Sequence, residues 1–251
     1  EARAYVASQW QLMWWRFREH RVALVSGIVV ILIYLVALFA EFIAPSTPDI
    51  VNSQYLYAPP QPLHLIDRSD GFQFLPHVFG FKSVIDVAAG RRTFTIDETQ
   101  KIPVGFFVEG EEYKMWGLFT WNRHLIGPLE AGQPMFLMGA DRLGRDMLTR
   151  LIYGTRISMS IGLVGVVISL VLGILLGGMS GYYGGAVDNI IQRVIEFLRS
   201  IPTIPLWMGL AAALPTTWPP LRIYFGITII LSLIGWTGLA RVVRGRFLAL
   251  R

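Results

Sequence analysis

From Ile157 to Gly181 the chain reads ISMSIGLVGVVISLVLGILLGGMSG, with no charge and apolar residues on every helical face. At ~1.5 Å rise per residue this run covers about 37 Å, more than a hydrocarbon core of ~30 Å, so it predicts a membrane-crossing helix. Within it Gly165, Ser169, Gly173, Gly177 and Gly181 recur every four residues. That spacing makes a ridge of small side chains where another helix can pack closely. The frequency of glycine in membrane helices generally is the plainer account of the same spacing. Val22 to Ala40 is a second uncharged run, closed by Glu41, Pro45 and Pro48. Ahead of it Trp10, Met13, Trp14 and Phe17 fall at i, i+3, i+4 and i+7, while Arg16, Arg18 and Arg21 lie off that stripe. This is the pattern of a helix lying in the membrane interface, a packed soluble helix being the alternative.

Two further crossings are expected at about 194–214 and 223–243. The first is entered past Glu196 and Arg199 and interrupted by Pro202 and Pro205, which read either as a plain packing kink or as a bend lining a pathway. Between the spans, GYYGGAVDNIIQR reads as a glycine-rich turn holding Asp188 and Arg193. Residues 137–156, through GADRLGRDMLTR, form an amphipathic approach helix with Met147, Leu148, Leu151 and Ile152 on one face. The connection at 45–136 is too long for an unstructured loop. With turn signals at Ala58-Pro59-Pro60, Asp70-Gly71 and Ala89-Gly90, and strand-like runs at Thr93–Ile96 and Val104–Val108, it reads as a small insert, mixed α/β or irregular. The expected organisation is therefore an interfacial segment at 1–21, a first span at 22–44, the insert, the approach helix, and a membrane domain at 157–251.

Composition strengthens this reading, because 53% of residues are hydrophobic and 16% charged, against about 25% charged in ordinary soluble domains. The net charge of +5 then reports orientation first. Basic residues before the first span put the N-terminus in the cytoplasm and 45–136 outside, and Arg241, Arg244, Arg246 and Arg251 mark a cytoplasmic end. Glu109, Glu111 and Glu112 against Lys114 suit an external insert. Arg142, Arg145, Arg150 and Arg156 run against that count. The first residues do not make a signal peptide. The chain has no cysteine, which excludes disulfides and thiolate chemistry. His64, His77 and His124 lack ligand spacing. No nucleophile elbow, zinc-protease motif or phosphate-binding loop occurs, so no catalytic, cofactor or metal site is expected.

From Gly139 to Arg251 the chain resembles the C-type inner-membrane permeases of peptide ABC importers, the dipeptide and oligopeptide group. The resemblance lies in GADRLGRDMLTRLIYGTRIS, the small-residue helix, GYYGGAVDNIIQRVIEFLRSIP and GLARVVRGRFLALR. The long segment after the first crossing is similar to the microcin and peptide branch. The resemblance implies an all-α polytopic protein of the ABC type I importer fold, with the external insert added. It implies a permease subunit for peptide or oligosaccharide uptake in the bacterial inner membrane. Implied partners are a second permease, two ATPase subunits, an external binding protein and the lipid bilayer, but no nucleic acid. ATP would be bound by the partners, with no cofactor in this chain. The stretch with Ser200, Pro202, Thr203 and Pro205 would lie near the translocation path. Members of the family continue past the fourth crossing into a cytoplasmic coupling segment, so an incomplete permease is expected and no coupling residue is assigned. The alternatives are an ion-coupled carrier or channel, which lacks intramembrane acids here, and a membrane-anchored receptor, which would not need four crossings.

Overall fold

A computed structural model describes residues 8–67, 73–86, 91–130 and 132–250. The chain divides into two compact units, Glu1–Arg156 and Ile157–Arg251.

The first unit opens with α1 (Gln9–Glu19), α2 (Arg21–Leu38) and the short α3 (Ala40–Ile43). Ser8 starts α1 through a capping box with Gln11. His20 then ends α1 with extended backbone and caps α2, its Nδ1 accepting the Ala23 amide at 3.2 Å. No residue of α1 is buried, and Trp10, Met13 and Trp14 are exposed.

Beyond α3 lie four antiparallel strands, β1 (His64–Asp67), β2 (Gln73–Asp86), β3 (Arg91–Met115) and β4 (Phe119–Pro128), paired in chain order. The insert is thus an all-β sheet among the described residues, where a mixed or irregular insert was expected. Both short strand-like runs fall inside β3, which pairs with β2 along its first half and with β4 along its second. The polar stretch Asp97–Lys101 hid this continuity, because residues exposed to water on a two-sided hairpin carry no apolar alternation. Val78, Ile102, Val104 and Met135 form the buried centre. The Asp70-Gly71 and Ala89-Gly90 turn signals lie outside the described residues.

A long helix, α4 (Met147–Tyr183), begins in this unit and continues into the second. The expected separate approach helix is therefore helical only from Met147 and continuous with the span. The second unit adds α5 (Gly185–Ser200), α6 (Thr203–Ala213) and α7 (Pro220–Leu250). The glycine-rich turn expected at 181–193 is corrected: apart from Gly184, the residues are helical. Gly184 and Gly185 have φ of 64° and 52°, a left-handed conformation open to glycine that redirects the chain within two residues. The segment then resumes as an amphipathic helix, with Ile191, Ile195 and Leu198 packed on Trp236 and Ala240. The third crossing expected from Val194 accordingly begins in the middle of α5.

By length and apolarity α2, α4 and α7 can each cross a membrane. The α5–α6 pair, bent by 85°, passes the same test as one broken span. α7 runs beside α4 in the same direction, Gly165 facing Thr228 and Ser232 and Gly181 facing Arg244 and Phe247.

Candidate functional site

The GADRLGRD stretch is a tight polar hairpin that starts α4. The Asp141 carboxylate accepts the amides of Leu143 (2.8 Å) and Arg145 (3.0 Å). It also takes the guanidinium groups of Arg145 (2.7 Å) and Arg150 (2.6 Å). Burial pushes this carboxyl up, but the Arg145 and Leu143 hydrogen bonds and the Arg145 charge outweigh it and hold it far below the usual range. Five residues on, Asp146 caps α4 by accepting the amides of Thr149 (2.7 Å) and Leu148 (3.3 Å). Here burial wins, and the Asp146 carboxyl is raised despite those bonds. Gly144 has φ 73°, and a Cβ there would strike the Asn52 carbonyl oxygen. The hairpin is sewn to the segment after α3, with the Ala140 amide on Ala58 O (2.9 Å) and the Tyr57 amide on Asp141 O (3.1 Å). Beside it a cleft of about 290 Å³ is lined by Ser46, Glu109, Glu111, His124, Gln133 and Asp146, among others.

Arg156, immediately before the uncharged run, reaches the C-terminal end of α2. Its guanidinium donates to the carbonyls of Ala37 (2.7 Å) and Leu38 (3.0 Å) and pairs with buried Glu41. Carbonyls at a helix end lack intrahelical partners, and a cation is the favoured group there. Glu41 is pushed up by burial and brought below its ordinary value by Arg156. Three of the four arginines that run against the orientation count, Arg145, Arg150 and Arg156, are thus held by acids and helix ends.

In the second unit all five small residues of α4 face α7. A Cβ on Gly177 would lie 2.5 Å from the Ala240 carbonyl oxygen and 2.8 Å from its Cα. On Gly181 it would lie 2.5 Å from Phe247 Cβ, and on Gly173 2.8 Å from Leu239. Ser169 donates its hydroxyl to Ser232 O at 3.3 Å. At the end of the ridge Arg244 grips Asp188 with two nitrogens, both at 2.6 Å. Buried Ser180 also donates to Asp188 and accepts from Gln192 at 3.1 Å. This knot ties α4, α5 and α7 together. In the sequence Asp188 reads only as part of a glycine-rich turn, since no local spacing signals a pair 56 residues apart.

Ser200, Pro202, Thr203 and Pro205 gather at the break between α5 and α6, and all are exposed. Pro202 is the N-cap of α6 and Pro205 lies in its first turn, where amides have no intrahelical partner. Neither proline therefore removes a helical bond, so the interruption ends one helix and starts another. The small-residue ridge lies elsewhere, along the α4–α7 contact. Among the described residues no group of three His, Cys, Asp or Glu could hold a metal. His64 and His77 are cross-strand partners stacked at 5.4 Å. His124 is buried between Ala44 O (2.6 Å) and Glu111 O (3.1 Å).

Two family profiles match the chain. The N-terminal membrane domain of oligopeptide transport permease C matches residues 8–60. The binding-protein-dependent transport system inner membrane component matches residues 169–251. The β-sheet lies between the two. The chain is 38% identical over 117 residues to the dipeptide transport system permease protein DppC of Bacillus subtilis (strain 168), covering 45% of this chain and 33% of that protein. It is 29% identical over 196 residues to DppC of Haemophilus influenzae, covering 78% and 44%. It is 41% identical over 115 residues to the inner membrane ABC transporter permease protein YejE of Escherichia coli (strain K12), covering 45% and 32%. The chain thus spans from about a third to under half the length of these relatives.

Proposed function

We propose that the chain is an inner-membrane permease component of a binding-protein-dependent ABC importer of the peptide C-type group, as its two profile matches support, and that it forms part of the pathway by which a peptide enters the cell. The observation that carries this reading is the parallel run of α4 and α7 along the small-residue ridge. Two parallel spans require the chain to return across the membrane between them. The α5–α6 pair is the segment available for that return, with Leu214, just past α6, beside Gly226 near the start of α7.

The return is made by a bent pair, and the bend leaves backbone unpaired. No side chain caps α6. At membrane depth its first amides, on Thr203 and Ile204, need water or a partner helix. That need supports a place for Ser200 to Pro205 beside a water-filled path shared with a second permease subunit. The N-terminus and the Asp188–Arg244 knot lie on the cytoplasmic side, and the sheet lies outside, where a substrate-binding protein delivers its load.

The energy comes from two partner ATPase subunits, and this chain binds neither nucleotide nor cofactor. Its sequence has no phosphate-binding loop, and its spans offer no chain of acids for ion coupling. Nucleotide can move such a protein between two open states only through a partner whose affinity differs between them. The test is uptake by the full-length protein reconstituted with its partner permease, ATPases and binding protein. Peptide should enter only with ATP. Uptake driven by an ion gradient, with no ATPase present, would overturn the proposal.

A further inference from the structure

The β3–β4 hairpin turns at Trp116-Gly117-Leu118, and its tip is fastened to the end of α2. The Trp116 indole N–H donates to Leu38 O at 2.7 Å, and its amide donates to Glu41 Oε1 at 3.3 Å. Phe39 lies against Trp116 at 5.9 Å, and Phe42 packs against Phe107 and Trp121 at 5.7 and 5.9 Å. Trp116 and Phe107 hold φ of 51° and 57°, a conformation uncommon for bulky residues. Around this anchor apolar side chains are exposed: Leu118 is 79% exposed, Phe107 60%, Phe119 49%, Trp116 46% and Trp121 41%. Exposed Lys114 flanks them.

A patch of this kind needs something to cover it, and its depth is set by what it touches. If α2 crosses the bilayer, as the proposed function requires, Leu38 ends the uncharged run at the outer boundary of the hydrocarbon. Groups bonded to its carbonyl then sit at headgroup depth, where Trp and other amphipathic rings are enriched and a lysine can reach phosphate. The backbone of the tip is fit for that depth, because the amides of Gly117 and Leu118 are bonded to Lys114 O and Met115 O at 3.1 and 2.9 Å. We propose that the tip of the β3–β4 hairpin inserts shallowly into the outer leaflet of the same membrane. It is a second anchor beside α2 that fixes the height of the sheet above the lipid surface.

The cysteine-free chain allows a direct test. Leu118→Cys, Glu98→Cys on the exposed part of β3, and Leu32→Cys on the exposed side of α2 are labelled singly with an environment-sensitive fluorophore. The full-length protein is placed in phosphatidylcholine–phosphatidylglycerol vesicles with iodide on both sides or with spin-labelled lipid. The label at 118 should be quenched by shallow spin-labelled lipid and be several-fold less sensitive to iodide than the label at 98. The label at 32 should respond to deep spin-labelled lipid. Equal iodide quenching at 118 and 98, with 32 still lipid-exposed, overturns the anchor alone. Iodide access at 32 overturns the crossing of α2 instead. Protection at 118 from both quenchers means that a protein surface covers the tip and also overturns the proposal.

Discussion

Asp141 and Asp146 are two carboxylates of one hairpin with opposite linkage to pH. Asp141 has its folded value depressed, so its stabilisation is fully present above the ordinary carboxylate range and is lost as pH falls through the folded value. Asp146 has its value raised by burial, so ionisation opposes folding at neutral pH and acid relieves that opposition. Asp141→Asn should destabilise the first unit by on the order of 2 kcal/mol at pH 7, because it weakens charge-assisted hydrogen bonds. It should also flatten the loss of melting temperature in strong acid. Asp146→Asn keeps an N-cap acceptor and removes a buried charge, so it should melt at or above the parent temperature at pH 7. Asp146→Ala should lose about 1 kcal/mol through the missing cap. Thermal melts of the purified protein across pH check all three. Gly144→Ala should be worse than Asp146→Ala, since a left-handed φ and a collision with Asn52 each cost about 1–3 kcal/mol. The acids and glycines of this hairpin were legible in the sequence as a motif. The cap by Asp146 is local, but the approach of Asn52 to Gly144 and of Ala58 to Ala140 is not, since both arrive from the segment after α3.

Contact between α4 and α7 depends on the absence of side chains. At Gly177 even one carbon meets Ala240 backbone, and in lipid close packing is what holds helices together. Gly177→Leu should therefore lower the melting temperature in detergent by many degrees, and Gly177→Ala by fewer. Leu175→Ile, on an exposed face of the same helix, should leave it nearly unchanged; equal shifts at 177 and 175 would remove the ridge from the account of stability. A step of four is visible in a sequence because it maps to one helical face. Which helix covers that face is not visible, and neither is the reach of Arg244 to Asp188. The helix α5 is hidden in the sequence for a related reason. Its flanking glycines signal a turn, and the inward stripe of Ile191, Ile195 and Leu198 shows its purpose only against Trp236.

For the whole chain, the proposed topology predicts that Glu98→Cys reacts with an impermeant thiol reagent from outside. Asn189→Cys, exposed on α5, should react only when the cytoplasmic side is opened. Reaction at 98 from the cytoplasm would invert the arrangement. Positive-inside counting takes Lys and Arg near the ends of spans and gives Asp and Glu little weight, so Arg145, Arg150 and Arg156 stay in the count although Asp141, Glu41 and the carbonyls of α2 hold them.

The apolar spans and the small-residue ridge along α4 are legible from the order of residues alone. These follow from period, length and the order of motifs along the chain, all of which are local properties of a helix in lipid. Packing in three dimensions makes the insert one antiparallel sheet among the described residues, bends α5 against α6 by 85°, and lets Arg156, Trp116 and Arg244 lock distant elements together. Strand pairing and ion pairing join residues far apart in the chain, and the free energy that selects the partners resides in packing that no short window contains.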